Sequence, residues 1–198
     1  MKVSLITVSY NSASTIKDTL QSVANQSYKN IEHILVDGIS TDETLTIVKQ
    51  FQHIHHVVSE KDKGIYDAMN KGIQLATGDI IGIINSDDLY PSSTIIEQIV
   101  NEFEKADIDA LYGNLLYVDR ERPDTTKRKW IAGNYELQSF LYGWMPPHPT
   151  FFVKKNIYME YGLFNLELGS AADYEIMLRL LYKHQIKATY LKEIIVHM

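Results

Sequence analysis

"IIGIINSDDLYPSS", residues 80–93, decides how this chain is read. Residues 80–84 are apolar and β-forming, and they end in Asn85-Ser86-Asp87-Asp88. Two carboxylates therefore stand side by side at the end of what should be a buried strand. Like charges this close repel unless something positive lies between or beside them. Taken alone, the pair fits a turn or the N-cap of the helix that follows. It also fits a divalent-cation site. Mg2+ and Mn2+ prefer oxygen ligands and often use one or two carboxylates together with substrate phosphates. Neighbouring side chains of an extended segment point opposite ways, so one Asp can take the metal while the other takes a sugar hydroxyl.

Working outward from this strand, apolar runs alternate with helical spacing. Strands are expected at 2–8, 31–36, around Val57-Val58 and at 80–84. Helices are expected at 14–26, after a Ser40–Glu43 capping box, at 65–76 with Gly78 as its stop, and at 93–105. Continuous apolar strands alternating with amphipathic helices predict an α/β fold, a mostly parallel sheet with helices on both faces. Beyond about residue 110 the pattern loosens. "ALYGNLLYVD" and "KRKWIAG" flank a polar turn at Pro123-Asp124 and suit a hairpin, "GWMPPHP" a loop, "TFFVKK" a strand and "ADYEIMLRLLYKHQ" a helix. We expect one domain over 1–198, with a nucleotide-binding half at about 1–109 and a less regular substrate half at 110–198.

Composition narrows the class. With 198 residues, 45% apolar and 22% charged, the chain suits a globular domain with a sizeable core. A net charge of −6 argues against a nucleic-acid binder. The lack of cysteine excludes disulfides and thiolate metal sites and suits the cytoplasm. No apolar run approaches the ~20 residues that span a bilayer. The sequence stops inside the apolar run "ATYLKEIIVHM", as a truncated chain would.

Ligand sites in such sheets lie beyond the carboxyl ends of the strands. Three polar clusters fall there, at 9–11, 37–42 and 85–88. Asp37 reads either as a strand-end turn residue or as an acceptor for a base N–H or a ribose. Tyr10 reads as a stacking ring or a partly buried core aromatic. Asp42 suits a helix start. Asp173 reads as part of a Ser170–Asp173 capping-box variant or as a cleft acid, and Glu175, two positions on, must face elsewhere. Arg120, Arg122, Lys127, Arg128 and Lys129 suit a solvated hairpin, an anionic surface or an acidic acceptor. His148 stands in a loop, and Lys61 or Lys63 could reach a diphosphate or simply be solvated.

These stretches, in this order, resemble the family 2 glycosyltransferases with the GT-A fold, especially the small bacterial enzymes of surface-polysaccharide assembly. The matching segments are "VSLITVSYNSASTIKDTLQSVANQSYKNIEHILVDGISTDET", "EKDKGIYDAMNKGIQLATGDIIGIINSDDLY", "HPTFFVKK" and "ADYEIMLRL". The resemblance implies that Val8 (through its backbone), Tyr10 and Asp37 bind the base, Asp87 the ribose, Asp88 a Mn2+ or Mg2+ ion, and that Asp173 is the general base. The family's "ED" reads "AD" here, with Ala172 in place of the acid. The processive members' QxxRW motif and membrane helices are absent from the sequence, so a single sugar transfer is implied. The donor would be a nucleoside-diphosphate sugar, with a lean to uracil, and the acceptor a glycan or lipid-linked sugar at the inner face of the membrane. The anomeric centre would be inverted. Two rivals remain: a nucleotidyltransferase, although "VSYNSAST" has no glycine to cradle phosphate, and an inactive nucleotide-sugar-binding module.

Overall fold

The computed structural model describes residues 1–119, 122 and 125–198. The Pro123-Asp124 turn and Arg120 lie outside the described residues. Four parallel strands form the first half of a sheet: β1 (Val3–Ser9), β2 (Ile31–Asp37), β3 (Ile54–Ser59) and β4 (Ile80–Asn85), in the order β3-β2-β1-β4. Their crossovers carry α1 (Ile16–Ala24), α2 (Thr44–Val48) and α3 (Ile65–Leu75), and α4 (Ile95–Lys105) follows β4.

Every residue of β1 is buried, because β2 and β4 pair with both its edges and helices cover both its faces. Ile6 and Val8 pack with Ile34, Val36 and, from α3, Met69 and Ile73. Val3 and Leu5 pack on the other face with Ile80, Ile84 and the α4 residues Ile95, Ile96, Ile99 and Phe103. Each such side chain contributes roughly 1.5–3 kcal/mol on full burial. The expected parallel α/β sheet is therefore present.

The second half extends the sheet with mixed polarity. β5 (Ala110–Val118) pairs antiparallel with β6 (Thr126–Trp130), as expected for the hairpin, and parallel with the last strand, Ala188–His197 (β8). The short β7 (Phe152–Lys154) is antiparallel to both β4 and β5 and joins the two halves into one sheet. Helix α5 (Lys155–Tyr161) follows β7, and α6 (Ala172–Met177) continues in wider turns to Lys183.

Three local expectations need correction. The Ser40–Glu43 capping box does not form. Ser40 turns back to Asp37 instead, and α2 begins at Thr44, where Asp42 accepts from the Thr44 backbone N–H at 3.0 Å. Gly78 is not what ends α3. The helix stops at Leu75, and glycine is needed at 78 because a Cβ would lie 2.8 Å from the Lys2 carbonyl oxygen. Ser170 does not cap α6, whose N-cap is Ala171 with no side-chain bond.

A histidine cluster lies under the β2–β3 edge. His33 is fully buried, with Nε2 2.9 Å from Thr7 Oγ1 and Nδ1 3.0 Å from His53 Nε2, while its backbone N–H donates to His55 Nδ1 at 3.2 Å. Burial, then the neighbouring His53 and His55, push its pKa down from 6.5 to about 3. A lowered pKa on a base means that the unfolded chain binds the proton first. Stability from this group is present above pH 6.5 and falls as the pH drops towards 3. The melting temperature should fall on acidification from pH 7 to pH 4.5, at a cost of about 1.4 kcal/mol per pH unit once His33 is protonated in the unfolded chain. His33→Gln should flatten that slope. A mutant profile as steep as the parent's would assign the effect to another group.

Candidate active site

The loops beyond β1, β3 and β4 converge on two adjoining cavities. The first, about 320 Å³, is lined by Val8, Ser9, Tyr10, Asp62, Gly64, Ile65 and Ala68. Tyr10 is 65% exposed, so it stands in this cavity as an open flat ring and not as a core aromatic. The second, about 220 Å³, is lined on its polar side by Asn85, His148 and Asp173. Ile65, the first residue of α3, is a wall of both.

Asp37 does not reach into the first cavity as expected. It is fully buried, and its carboxylate accepts from Ser9 Oγ (3.1 Å), Ser40 Oγ (2.5 Å), Ser40 N (2.9 Å) and Ser59 Oγ (2.8 Å). Hydroxyls at the ends of β1 and β3 and in the loop after β2 draw it inward. The carboxylate that does line the cavity is Asp62. Its Oδ1 accepts from Gly64 N at 3.0 Å, and its Oδ2 lies 2.5 Å from where a Cβ on Gly38 would be, so glycine at 38 makes room for it beside Tyr10. Sequence reading weighed Lys61 and Lys63 in this loop and passed over the acid between them. The glycine at 38 and the turn glycine at 64 were the available signals.

Past the end of β4 the chain is not extended but turns, with Asp88 N donating to Asn85 O at 3.2 Å, and this turn sends the two carboxylates apart. Asp87 is exposed and lines a third cavity, with Thr15, Asp18 and His197. Met198 borders both this cavity and that of Asp173. Asp88 is fully buried. Its Oδ2 accepts from Asn85 Nδ2 at 2.9 Å, and its Oδ1 has no partner, nor has Asn85 Oδ1. Burial, then the charge of Asp87, push its pKa up to about 7. Among the described residues no cation pairs with either Asp, and no cluster of three His, Asp or Glu forms a ready metal cage. Two unpartnered buried oxygens, one on the Asp88 carboxyl and one on the Asn85 amide, are nevertheless the donor type that a hard divalent cation takes.

Asp173 lies in the first turn of α6, half-buried, with Oδ1 accepting from Tyr174 N at 2.7 Å. Burial and then the Asp173 charge raise the Tyr66 hydroxyl. Burial pushes His148 down to about 4 against the opposing pull of Asp173, so its imidazole is neutral near pH 7. Glu175 faces away, as its spacing predicts. Arg179 donates to it through Nε at 2.7 Å and Nη2 at 3.0 Å, and also to the carbonyls of Tyr161, Gly162 and Leu163. The next residue, Phe164, exchanges two 2.9 Å bonds with the Asn70 side chain on α3 and packs its ring against Tyr66 and His148. This clamp fixes α3, α6 and the His148 loop around one cavity.

The family model "Glycosyl transferase family 2" matches residues 4–164. A PGL/p-HBAD biosynthesis glycosyltransferase of Mycobacterium bovis is 30% identical over 205 residues, covering 94% of this chain and 75% of the relative. Among solved structures, TarS 1–349 of S. aureus in complex with UDP superposes with a TM-score of 0.80 at 21% identity, over 100% of this chain and 60% of that one. The mannosyltransferase PcManGT of Pyrobaculum calidifontis, in complex with GDP-Man and Mn2+, gives 0.73 at 18% identity, over 100% and 56%. The chain thus spans less than two thirds of either solved structure. The likeness to both shows the GT-A fold.

Two stability outcomes separate the buried carboxylates. Asp37→Ala strands three serine hydroxyls and should cost on the order of 2–3 kcal/mol in urea unfolding. A loss under about 0.5 kcal/mol would show that the serines simply re-pair. Asp88 has the opposite sign. Its folded-state pKa lies above the unfolded value of 3.8, so its contribution is intact below pH 3.8 and is lost as the pH rises through 7. Asp88→Asn should therefore melt higher than the parent at pH 8, with the advantage shrinking towards pH 4. A mutant that melts lower at pH 8 would mean that the ionised group is compensated.

Proposed function

The chain belongs to glycosyl transferase family 2, and from that premise we propose that it transfers one sugar from a nucleoside-diphosphate sugar to a hydroxyl of a glycan or lipid-linked acceptor in bacterial surface-polysaccharide assembly. The observation that carries this reading is the shared wall at Ile65. It sets a cavity with an open ring and a carboxylate next to a cavity with a poised base, so a donor bound in the first presents its sugar to the second.

In the first cavity Tyr10 stacks on the base, and Asp62 accepts from a base N–H, which suits uracil. Asp37 acts behind them, holding the strand ends from which both loops spring. Asp87 lines the third cavity and not the first, so its assignment to the ribose rests on the family resemblance. UDP in TarS and GDP-Man with Mn2+ in PcManGT support the donor class and the cation. Asp88, with its unpartnered oxygen, would hold that cation, and Asn85 stands beside it. When bound, the cation supplies Lewis-acid neutralisation of the charge that builds on the leaving diphosphate.

Asp173 accepts the proton of the acceptor hydroxyl. The oxygen lone pair forms the new bond to the anomeric carbon as the bond to the diphosphate oxygen breaks, its electron pair leaving with the diphosphate. Attack from the face opposite the leaving group inverts the centre. Tyr66 and the neutral His148 wall the cavity beside the carboxylate and restrict bulk water there.

UDP titrations and a transfer assay test the reading together. Asp62→Ala should weaken UDP binding at least tenfold with little change in melting temperature. Mn2+ should raise the parent's melting temperature at pH 8 and leave that of Asp88→Asn unmoved. Asp173→Asn should lower turnover ~10²–10⁴-fold while UDP still binds, and Glu175→Gln should lose stability instead of turnover. Near-normal transfer by Asp173→Asn would end its assignment as the base. UDP affinity unchanged by excess chelator would end the cation's.

A further inference from the structure

The Asp173 cavity has a second wall, which the transfer chemistry above does not use. It is one face of the β5–β6 hairpin. Pairing sets Leu115 opposite Trp130 and Tyr117 opposite Arg128, with Leu116 and Lys129 between them on the reverse face. Directly opposed residues of an antiparallel pair share a face. Leu115, Tyr117 and Trp130 line the cavity, so Arg128 stands on the cavity's side of the hairpin, one position further out.

The electrostatics of this edge are specific to Arg128. Its guanidinium carbon lies over the rings of Tyr117 (5.4 Å) and Trp130 (5.6 Å), which hold it against the wall while the residue stays exposed. It makes no salt bridge among the described residues. Its neighbour Lys127 is already paired with Asp119 at 3.0 Å. The chain carries a net charge of −6, so a cation unpaired among the described residues, next to the Tyr117 and Trp130 wall of the cavity, is the feature that would admit an anion there. A guanidinium held by aromatic faces keeps its donor edge free for two parallel bonds to a carboxylate or phosphate. The indole beside it offers a negative π-face to the C–H bonds of a sugar ring.

We infer that this hairpin wall receives the acceptor, and that Arg128 selects an acceptor carrying a carboxylate or phosphate next to the sugar ring that stacks on Trp130. The inference rests on the sugar-transfer reading and adds the acceptor's class to it. The wall faces Asp173 across the same cavity, so a sugar stacked there presents a hydroxyl towards the base.

The test is binding to the whole chain saturated with UDP and Mn2+, read by quenching of tryptophan emission. Three probes are titrated: methyl glucuronide for a carboxylate, glucose 6-phosphate for a phosphate and methyl glucoside as the neutral arm. At least one anionic probe should bind tenfold or more tighter than methyl glucoside, and which one does so identifies the source of the charge. Arg128→Gln, an exposed substitution, should erase that preference, and Arg128→Lys should keep part of it. Trp130→Phe should remove most of the quenching. Equal binding of all three probes, no binding of any, or a preference unchanged in Arg128→Gln would overturn the acceptor assignment. UDP affinity is measured in the same samples. If it is intact, such a result strikes this inference alone, whereas failure of UDP to bind strikes the sugar-transfer reading beneath it.

Discussion

The carboxylate of Asp37 holds together the edge on which the site depends. It gathers hydroxyls from the end of β1, the end of β3 and the loop after β2. Tyr10 follows Ser9 directly, and Asp62 stands three residues beyond Ser59. One buried ion, fully hydrogen-bonded, thus fixes the departure points of both loops that wall the first cavity. A charge in the interior is tolerable only when its lone pairs are met in this way.

Asp88, at the end of β4 on the far side of β1, is in the opposite state. It is just as buried, yet one of its oxygens has no donor and no cation stands near it among the described residues. Asp37 has both oxygens met by donors, and Asp88 keeps one oxygen without a partner. The same division appears in the second half of the chain, where Glu175 is satisfied by Arg179 and Asp173 is left to face a cavity.

Much of this was legible in the sequence. The apolar runs of β1, β2 and β4, interrupted by Ser4 and Thr7 in β1 and by Glu32 and His33 in β2, state a buried parallel sheet, and the 3.6-residue spacing of Ile95, Ile96, Ile99 and Phe103 states which face of α4 is covered. Asp173 and Glu175 could be set on opposite sides by counting. The directions of Asp37 and Asp62 were not legible. Both acids end or follow strands, and only the three serines, distant in sequence and adjacent in space, show which one turns inward. The Ser40 capping box failed because a serine side chain takes the best partner available in three dimensions. At Ser40 that partner was the buried Asp37. The hairpin was legible as a pairing, but the face bearing Arg128 depended on register, where a one-residue slip reverses every side chain.

The clamp around Phe164 bears on the order in which the molecule assembles. The first cavity is built wholly from residues between 8 and 68, through contacts among neighbouring βα units. The second needs the Asn70–Phe164 pair, whose members are 94 residues apart, and α6 beyond it. Closing so long a loop is entropically late, because its cost precedes any contact that rewards it. On a ribosome, the residues of the first cavity emerge well before those that surround Asp173. The two-cavity arrangement therefore matures from the first cavity to the second, and a chain caught midway would have the Tyr10 pocket formed ahead of the one that Asp173 lines.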